Sequence, residues 1–156
     1  MNAATTLNTQ ESFAEFAQGN EPKLRRALVA RYGADLGREL TAAALAYGWE
    51  HWKRVGAMDN PAGYLYRVGQ SKSRRWLRRP ALFPAPGAIG LPWVEPGLPV
   101  ALEDLSPNQR QAVVLVHGYS YTHAEVADLL GLSRSSIQNH VERGLAKLRN
   151  HFEVTP

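Results

Sequence analysis

The sequence predicts an all-α chain of two small helical domains joined by a Pro/Gly-rich linker. Three observations predict it. On both sides of the linker, apolar residues recur every three or four positions, the spacing that puts them on one helix face. Capping and breaking residues bracket those runs. Between them lie Pro80, Pro84, Pro86, Pro92, Pro96 and Pro99, with Gly87, Gly90 and Gly97, a composition that neither a helix nor a central strand tolerates. The expected domains are residues 10–79 and 101–153, with the linker at 80–100.

In the first domain Phe13 and Phe16 share a face. Pro22 can open a helix carrying Leu24, Leu28 and Tyr32. Leu36, Leu40, Ala43 and Tyr47 continue at helical spacing, with Leu45, Trp49 and Trp52 on a flank, placed in core or interface. Asn60 before Pro61 pairs a capping side chain with a proline suited to the first helical position. That helix is expected to reach about Arg78, with Leu65, Val68 and Trp76 or Leu77 inward. Its outer side carries Arg67, Lys72, Arg74, Arg75, Arg78 and Arg79 with no intervening acid. Such a run can be a solvated helix face. Tyr64, Tyr66 and Trp76 nearby favour a nucleic-acid face, because aromatic rings stack on exposed bases. Gly63 and Gly69 are expected to loosen this helix.

The linker's Leu82, Phe83, Ile89, Leu91, Trp93 and Val94 are unusual for an idle spacer. They fit either packing back on a domain or lying in a partner's groove.

In the second domain Ser106, Pro107 and Gln109 compose a capping box with proline at the first helical position. Ala112, Val113, Leu115 and Val116 form the apolar side, and Gly118 is the expected stop. Thr122 and Glu125 make a second box, Ala124, Val126, Ala127 and Leu130 pack, and Gly131 ends the helix. Leu132 plugs the core and Ser133 caps a last helix with Ile137, Val141, Leu145, Leu148 and Phe152 as its buried stripe. A short helix, a glycine turn and a longer helix are the layout of a helix-turn-helix. With the stripe inward, Arg134, Ser135, Ser136, Gln138, Asn139 and His140 face outward. Arg can pair with guanine, and Asn or Gln with adenine, in the major groove. Arg143, Lys147 and Arg149 lie further along, suited to phosphates or a protein partner.

Composition narrows the classes. The chain has 156 residues, 44% of them apolar, enough for ordinary globular cores. Its formal charge of +4 is weak evidence for nucleic acid by itself. Zero cysteines remove disulfides and thiolate zinc sites and suit an intracellular, cytoplasmic setting. Met1 to Gln10 lacks the basic and apolar regions of a signal peptide, and no run is apolar enough for a bilayer. An enzyme is not expected: His51, His117, His123, His140 and His151 form no HExxH pattern, and Gly87 to Gly90 lacks a phosphate-loop ending. No metal or cofactor is implied.

The stretches Leu105-Ser-Pro-Asn-Gln-Arg110, Gly118-Tyr-Ser-Tyr121, Glu125-Val-Ala127, Leu130-Gly-Leu-Ser133 and Arg143-Gly-Leu-Ala-Lys-Leu-Arg149 resemble region 4 of sigma-70 family factors of the extracytoplasmic-function type. Asn60-Pro-Ala-Gly-Tyr-Leu-Tyr-Arg67 and the basic run after it look like the promoter-melting helix of region 2, and Ala46-Tyr-Gly-Trp-Glu-His-Trp52 like the end of the preceding helix. The resemblance implies a transcription initiation factor that binds core RNA polymerase. Its second domain would read the −35 element in double-stranded promoter DNA through Arg134, Ser135, Ser136, Gln138, Asn139, His140 and Arg143. Its first would hold melted −10 DNA through Tyr64, Tyr66, Arg67, Lys72, Arg74 and Arg75, and bind polymerase through Glu39, Leu40 and Trp49. An anti-sigma factor is a further implied partner; a membrane is not.

The sequence departs from the family at Ala42-Ala43, where a polar Gln-Glu pair is usual. That departure motivates an alternative, a sigma-derived DNA-binding regulator that forms no productive polymerase holoenzyme. A response-regulator-type helix-turn-helix is disfavoured by the Leu105 to Arg110 and Arg143 to Arg149 stretches. An interaction-only protein would not need the base-reading set from Arg134 to His140.

Overall fold

The computed structural model describes residues 3–75 and 97–154, and every described element is helical. In order these are α1 (Ala3–Tyr32), α2 (Ala34–Glu50), α3 (Trp52–Val55), α4 (Pro61–Lys72) with a 3-10 turn at Ser73–Arg75, α5 (Leu98–Glu103), α6 (Pro107–Val113) with a π turn at Val114–Gly118, α7 (His123–Leu130) and α8 (Arg134–Val154). Residues 76–96, with most of the expected linker and the apolar residues on it, lie outside the described part. So do Trp76 to Arg79 of the basic run. The end of the expected linker is already ordered, since α5 begins at Leu98.

One expectation about α1 is corrected. Pro22 lies inside one 30-residue helix instead of opening a new one. The break comes at Gly33, a single residue between α1 and α2 with φ 91°, where a side chain would be strained. Gly63 and Gly69 also act otherwise than expected. Both are buried on α4 and admit close neighbours. A Cβ at Gly63 would meet the Asn60 side chain at 2.5 Å, and one at Gly69 would meet Leu28 at 3.1 Å.

The helices α1, α2 and α4 form one packed unit, and α6, α7 and α8 another. In the first, Leu24, Ala27, Leu28, Leu40, Ala44, Trp52, Val55 and Leu65 are buried. Phe13 and Phe16 cover Trp52, whose indole N–H donates to the Ser12 hydroxyl at 3.2 Å. In the second, Ala112, Leu115, Val126, Leu129, Ile137 and Val141 are buried. The stripe on α8 fades along its length: Leu148 is half-buried, and Phe152, expected inward, is 39% exposed. The expected caps form at Ser106, Thr122 and Ser133, the first as a complete capping box. Gly131 adopts the left-handed conformation at φ 72°. Gly118 does not; the helix before it ends in the π turn, and Ser120 takes the positive φ.

The two units close on each other, and their buried side chains form one continuous core. Polar side chains fix the seam. Arg110, 4% exposed, donates through Nε to the Ala30 carbonyl at 2.7 Å and through Nη2 to the Arg31 carbonyl at 3.0 Å. These carbonyls belong to the last turn of α1, where no amide of the helix is left to bond them. A cation there also suits the negative end of the helix dipole. Gln111 donates to the Ala27 carbonyl at 3.0 Å and to the Tyr66 hydroxyl at 2.7 Å, and accepts from Arg31. Asn60 accepts from the Gly63 amide as the cap of α4 and donates to the Asp128 carbonyl of α7 at 2.8 Å. Arg26 stacks over Tyr119 and donates to the Tyr121 hydroxyl at 3.0 Å.

Arg110→Met should destabilise the chain by about 2–4 kcal/mol in urea unfolding, since it strands buried carbonyls, whereas exposed Arg38→Ala should stay within about 0.5 kcal/mol. Two helical glycines should respond oppositely to alanine. Nothing lies within 4 Å of a Cβ at Gly19, so Gly19→Ala should raise stability by about 0.5–1 kcal/mol. At Gly144 a Cβ would meet Val113 at 2.6 Å. Overpacking of about 1–3 kcal/mol should exceed the helix-propensity gain of about 1 kcal/mol, so Gly144→Ala should lower the melting temperature.

Candidate nucleic-acid interface

Helix α8 is aimed by what lies before it. Gly131 reverses the chain, its amide bonding the Ala127 carbonyl at 2.9 Å, and Leu132 tucks into the core. The Ser133 hydroxyl then accepts from the Ser136 amide at 3.1 Å. Ile137 and Val141 bury the inner side of α8 against α6 and α7. Arg134, Ser135, Gln138, Asn139 and Arg143 are left exposed on the outer side, while Ser136 and His140 sit half-buried at its edge. Three side chains are already engaged, Ser135 through a 3.1 Å contact between its hydroxyl and that of Ser133. The Ser136 hydroxyl accepts from Ser133 at 2.9 Å, and Gln138 donates to Glu142 at 3.1 Å. The Glu142 contact had no signal beyond the four-residue spacing. It orients the Gln138 amide and places a carboxylate beside the reading face.

The second candidate surface runs along α4. Tyr64, Arg67, Ser71 and Arg74 follow one another at steps of three, four and three, so they line one side of the helix and its 3-10 extension. Arg67 and Arg74 are exposed, and Tyr64 and Lys72 half-buried. Near the end of α4, Tyr32, Arg67, Gln70, Ser71, Ser73 and Arg74 line an open cleft of about 330 Å³. Its two guanidiniums and three hydroxyls suit an anionic group. The Arg75 side chain lies outside the described part.

Tyr66 does not belong to this surface. It is 2% exposed on the opposite side of α4, and its hydroxyl is held by Gln111. Burial pushes its phenol up to about 12. The sequence reading counted it as a second stacking aromatic, but Tyr64 and Tyr66 are two residues apart and so diverge on a helix.

The third surface is the outer side of α2. Glu39, Ala42, Ala46 and Trp49 form an exposed stripe, with Trp49 at 46% exposure edge-on to Phe13. Ala43 is half-buried. Leu40, expected on this surface, is instead 1% exposed and packs in the core. Glu39 and Leu40 cannot share a face, because neighbours on a helix are about a third of a turn apart.

Sequence reasoning missed four residues around Tyr64 and the seam. Arg54 donates to the hydroxyls of Tyr47 at 2.7 Å and Tyr64 at 3.4 Å, and Gln111 seals Tyr66. His51 stacks on Tyr47 with ring centroids 4.1 Å apart. The local pattern of α2 and the loop after it carries no signal for such contacts. Among the described residues no group of acidic, His or Cys side chains could hold a metal, and no helix is long and apolar enough to cross a membrane.

Comparison with known proteins agrees with this geometry. Residues 101–150 match the family model of sigma-70, region 4. The chain is 30% identical over 128 residues to the RNA polymerase sigma-E factor of Streptomyces antibioticus, covering 75% of this chain and 71% of that protein. Among solved structures, the sigma factor RpoE of Bartonella quintana, described in complex with the anti-sigma factor NepR, superposes with a TM-score of 0.63 at 18% identity, covering 92% of this chain and 98% of that one. CnrH, described in complex with the cytosolic domain of CnrY, gives a TM-score of 0.64 at 19% identity, covering 94% of this chain and 91% of that one. At these identities the structures speak for the fold, while the sequence matches speak for the family. By its region 4, its helical architecture and this relative, the chain belongs to the sigma-70 family as an extracytoplasmic-function type factor, a class of transcription initiation proteins and not of enzymes.

Proposed function

We propose that this protein binds core RNA polymerase in the cytoplasm and directs it to particular promoters by reading two elements. The outer side of α8 enters the major groove at the −35 element, where Arg134, Gln138 and Asn139 contact base edges and Ser135 and Arg143 contact backbone. Ser136 and His140 adjust the edge of that surface. The face of α4 with Tyr64, Arg67, Lys72 and Arg74 holds the melted −10 strand by stacking and phosphate contact, and Arg75 is a further candidate by sequence. Glu39 and Trp49 contact the polymerase. The domain division at residues 79 and 101 separates the two reading units. The observation that carries this reading is the hydrogen-bonding outer side of α8 behind a capped glycine turn, where Gln138 and Asn139 stand exposed beside Arg134.

A regulator that binds DNA without a productive holoenzyme is the second reading. What favours it is Ala42, exposed between Glu39 and Trp49, where the family's usual pair would offer polar contacts. RpoE is described in complex with an anti-sigma factor and CnrH in complex with the cytosolic domain of CnrY, and a protein partner of the anti-sigma kind is proposed for this chain as well.

Co-purification of the tagged full chain with bacterial core polymerase, followed by run-off transcription on a promoter library, tests the reading. Stable binding with selective transcripts is expected. DNA binding without polymerase association would establish the second reading instead. Within the DNA surface, Arg134→Ala and Gln138→Ala should each cost about 1–3 kcal/mol at one base position of the selected site and relax specificity there. A uniform loss across all sequences in competition binding would exclude base reading by that residue.

A further inference from the structure

Tyr64 is the aromatic that α4 offers to a melted strand, and its hydroxyl is held from outside its own helix. It follows directly on the first turn, half-buried. The groups that do fix it come from two other elements. Arg54 on α3 donates through Nη2 to the Tyr47 hydroxyl at 2.7 Å and through Nη1 to the Tyr64 hydroxyl at 3.4 Å. The two hydroxyls lie 3.3 Å apart. The guanidinium carbon stands 5.6 Å from the Tyr64 ring centroid. Tyr47 is held in turn by the stacked His51 ring, whose Nδ1 lies 3.0 Å from the Tyr47 carbonyl. Arg54 has an anchored backbone, because Trp52 and Val55 on either side of it are buried.

We infer that Arg54 is a positioning residue for Tyr64: its guanidinium bridges the Tyr47 and Tyr64 hydroxyls and holds the Tyr64 ring at the angle at which a base of single-stranded DNA stacks on it. The inference rests on the proposed role of α4 in strand binding. Three observations support it beyond the distances. A planar guanidinium can donate to two hydroxyls at once in a fixed geometry, which an ammonium cannot reproduce. The phenol oxygen of Tyr64 is engaged on the protein side and Arg54 lies over one face of the ring, so the opposite face is the part left to a ligand. The hydrogen bond with Tyr47, then that from Arg54, pulls the Tyr64 phenol below its ordinary pKa, as two partners on one oxygen should. Holding the ring in advance removes a rotamer-ordering cost from binding.

The test is a double-mutant cycle on the full chain. Its probe is a fluorescent single-stranded DNA pool of random sequence, since stacking on an aromatic tolerates any base. Tyr64→Ala should weaken binding about tenfold, one stacked base being worth 1–3 kcal/mol. Arg54→Ala, Arg54→Lys and Tyr64→Phe should each weaken it about threefold, the size of one side chain's ordering. The Arg54→Ala and Tyr64→Phe losses should not add, and the salt dependence should stay unchanged, because both variants break one clamp. Additive losses with a salt slope lowered by about one would mean that Arg54 binds a phosphate directly, and would overturn the positioning role. A strong Tyr64→Ala effect with silent Arg54 variants would overturn it as well. A silent Tyr64→Ala would instead remove the strand-binding role of Tyr64. Unchanged circular dichroism and melting temperature identify the variants that remain folded, and Arg54→Lys and Tyr64→Phe, which keep bulk and exposure, carry the test where alanine does not.

Discussion

The arrangement of this molecule depends on two adjacent side chains of α6 and the end of α1. Arg110 and Gln111 reach across the seam to the Ala27, Ala30 and Arg31 carbonyls. Burying a guanidinium is unfavourable unless its donors are met, and leaving helix-end carbonyls dry is unfavourable too. Each group solves the other's problem. Because α1 ends one residue before α2 begins, the place where Arg110 docks is set by Gly33. Through Gln111 the same contact extends to Tyr66 and therefore to α4. The positions of α1, α4 and α6 are thus settled together, and α7 follows through Asn60 and Asp128.

This arrangement sorts α4 by face. The side turned to the seam is apolar and phenolic, closed by Gln111. The side turned away has Tyr64, Arg67 and Arg74. A helix with three steps of three or four residues between its outward groups has little choice about which neighbours they meet, so the basic surface and the seam are two consequences of one helical period. In the second unit the same period buries Ile137 and Val141 and presents Arg134, Gln138 and Asn139.

Features written in a few consecutive residues were legible in the sequence. Ser106 with Gln109, Thr122, Gly131 and Ser133 announce the ends of α6, α7 and α8 because capping needs a side chain within three residues of the amide it meets. The outer side of α8 was legible for the same reason. Pairings across the seam were not. Arg110 and Gln111 are polar, and only a helix end far away in sequence gives them partners inside. Tyr66 was assigned to DNA on residue type, but a tyrosine is equally at home in a core that offers its hydroxyl a partner. Leu40 followed Glu39 into the predicted contact surface although a helix must part them. Pro22 read as a beginning because proline is well suited to a first turn, yet the break came at a glycine whose role depends on φ and leaves no composition signal. The Arg54, Tyr47 and Tyr64 cluster unites three elements, and no window of sequence contains it as a pattern.

The seam also changes what a binding constant means for this chain. A partner that requires the two units apart meets only the fraction of molecules that are open, so its apparent dissociation constant is the intrinsic one divided by that fraction. Every 1.4 kcal/mol or so by which the closed arrangement is favoured weakens such a partner about tenfold without touching any residue it contacts. Titrations of the DNA-reading half alone and of the whole chain then report different quantities. Their ratio reports the closing equilibrium, and substitution of Gln111, whose side chain bonds α1 and α4, would move that ratio without touching a residue of the reading face of α8.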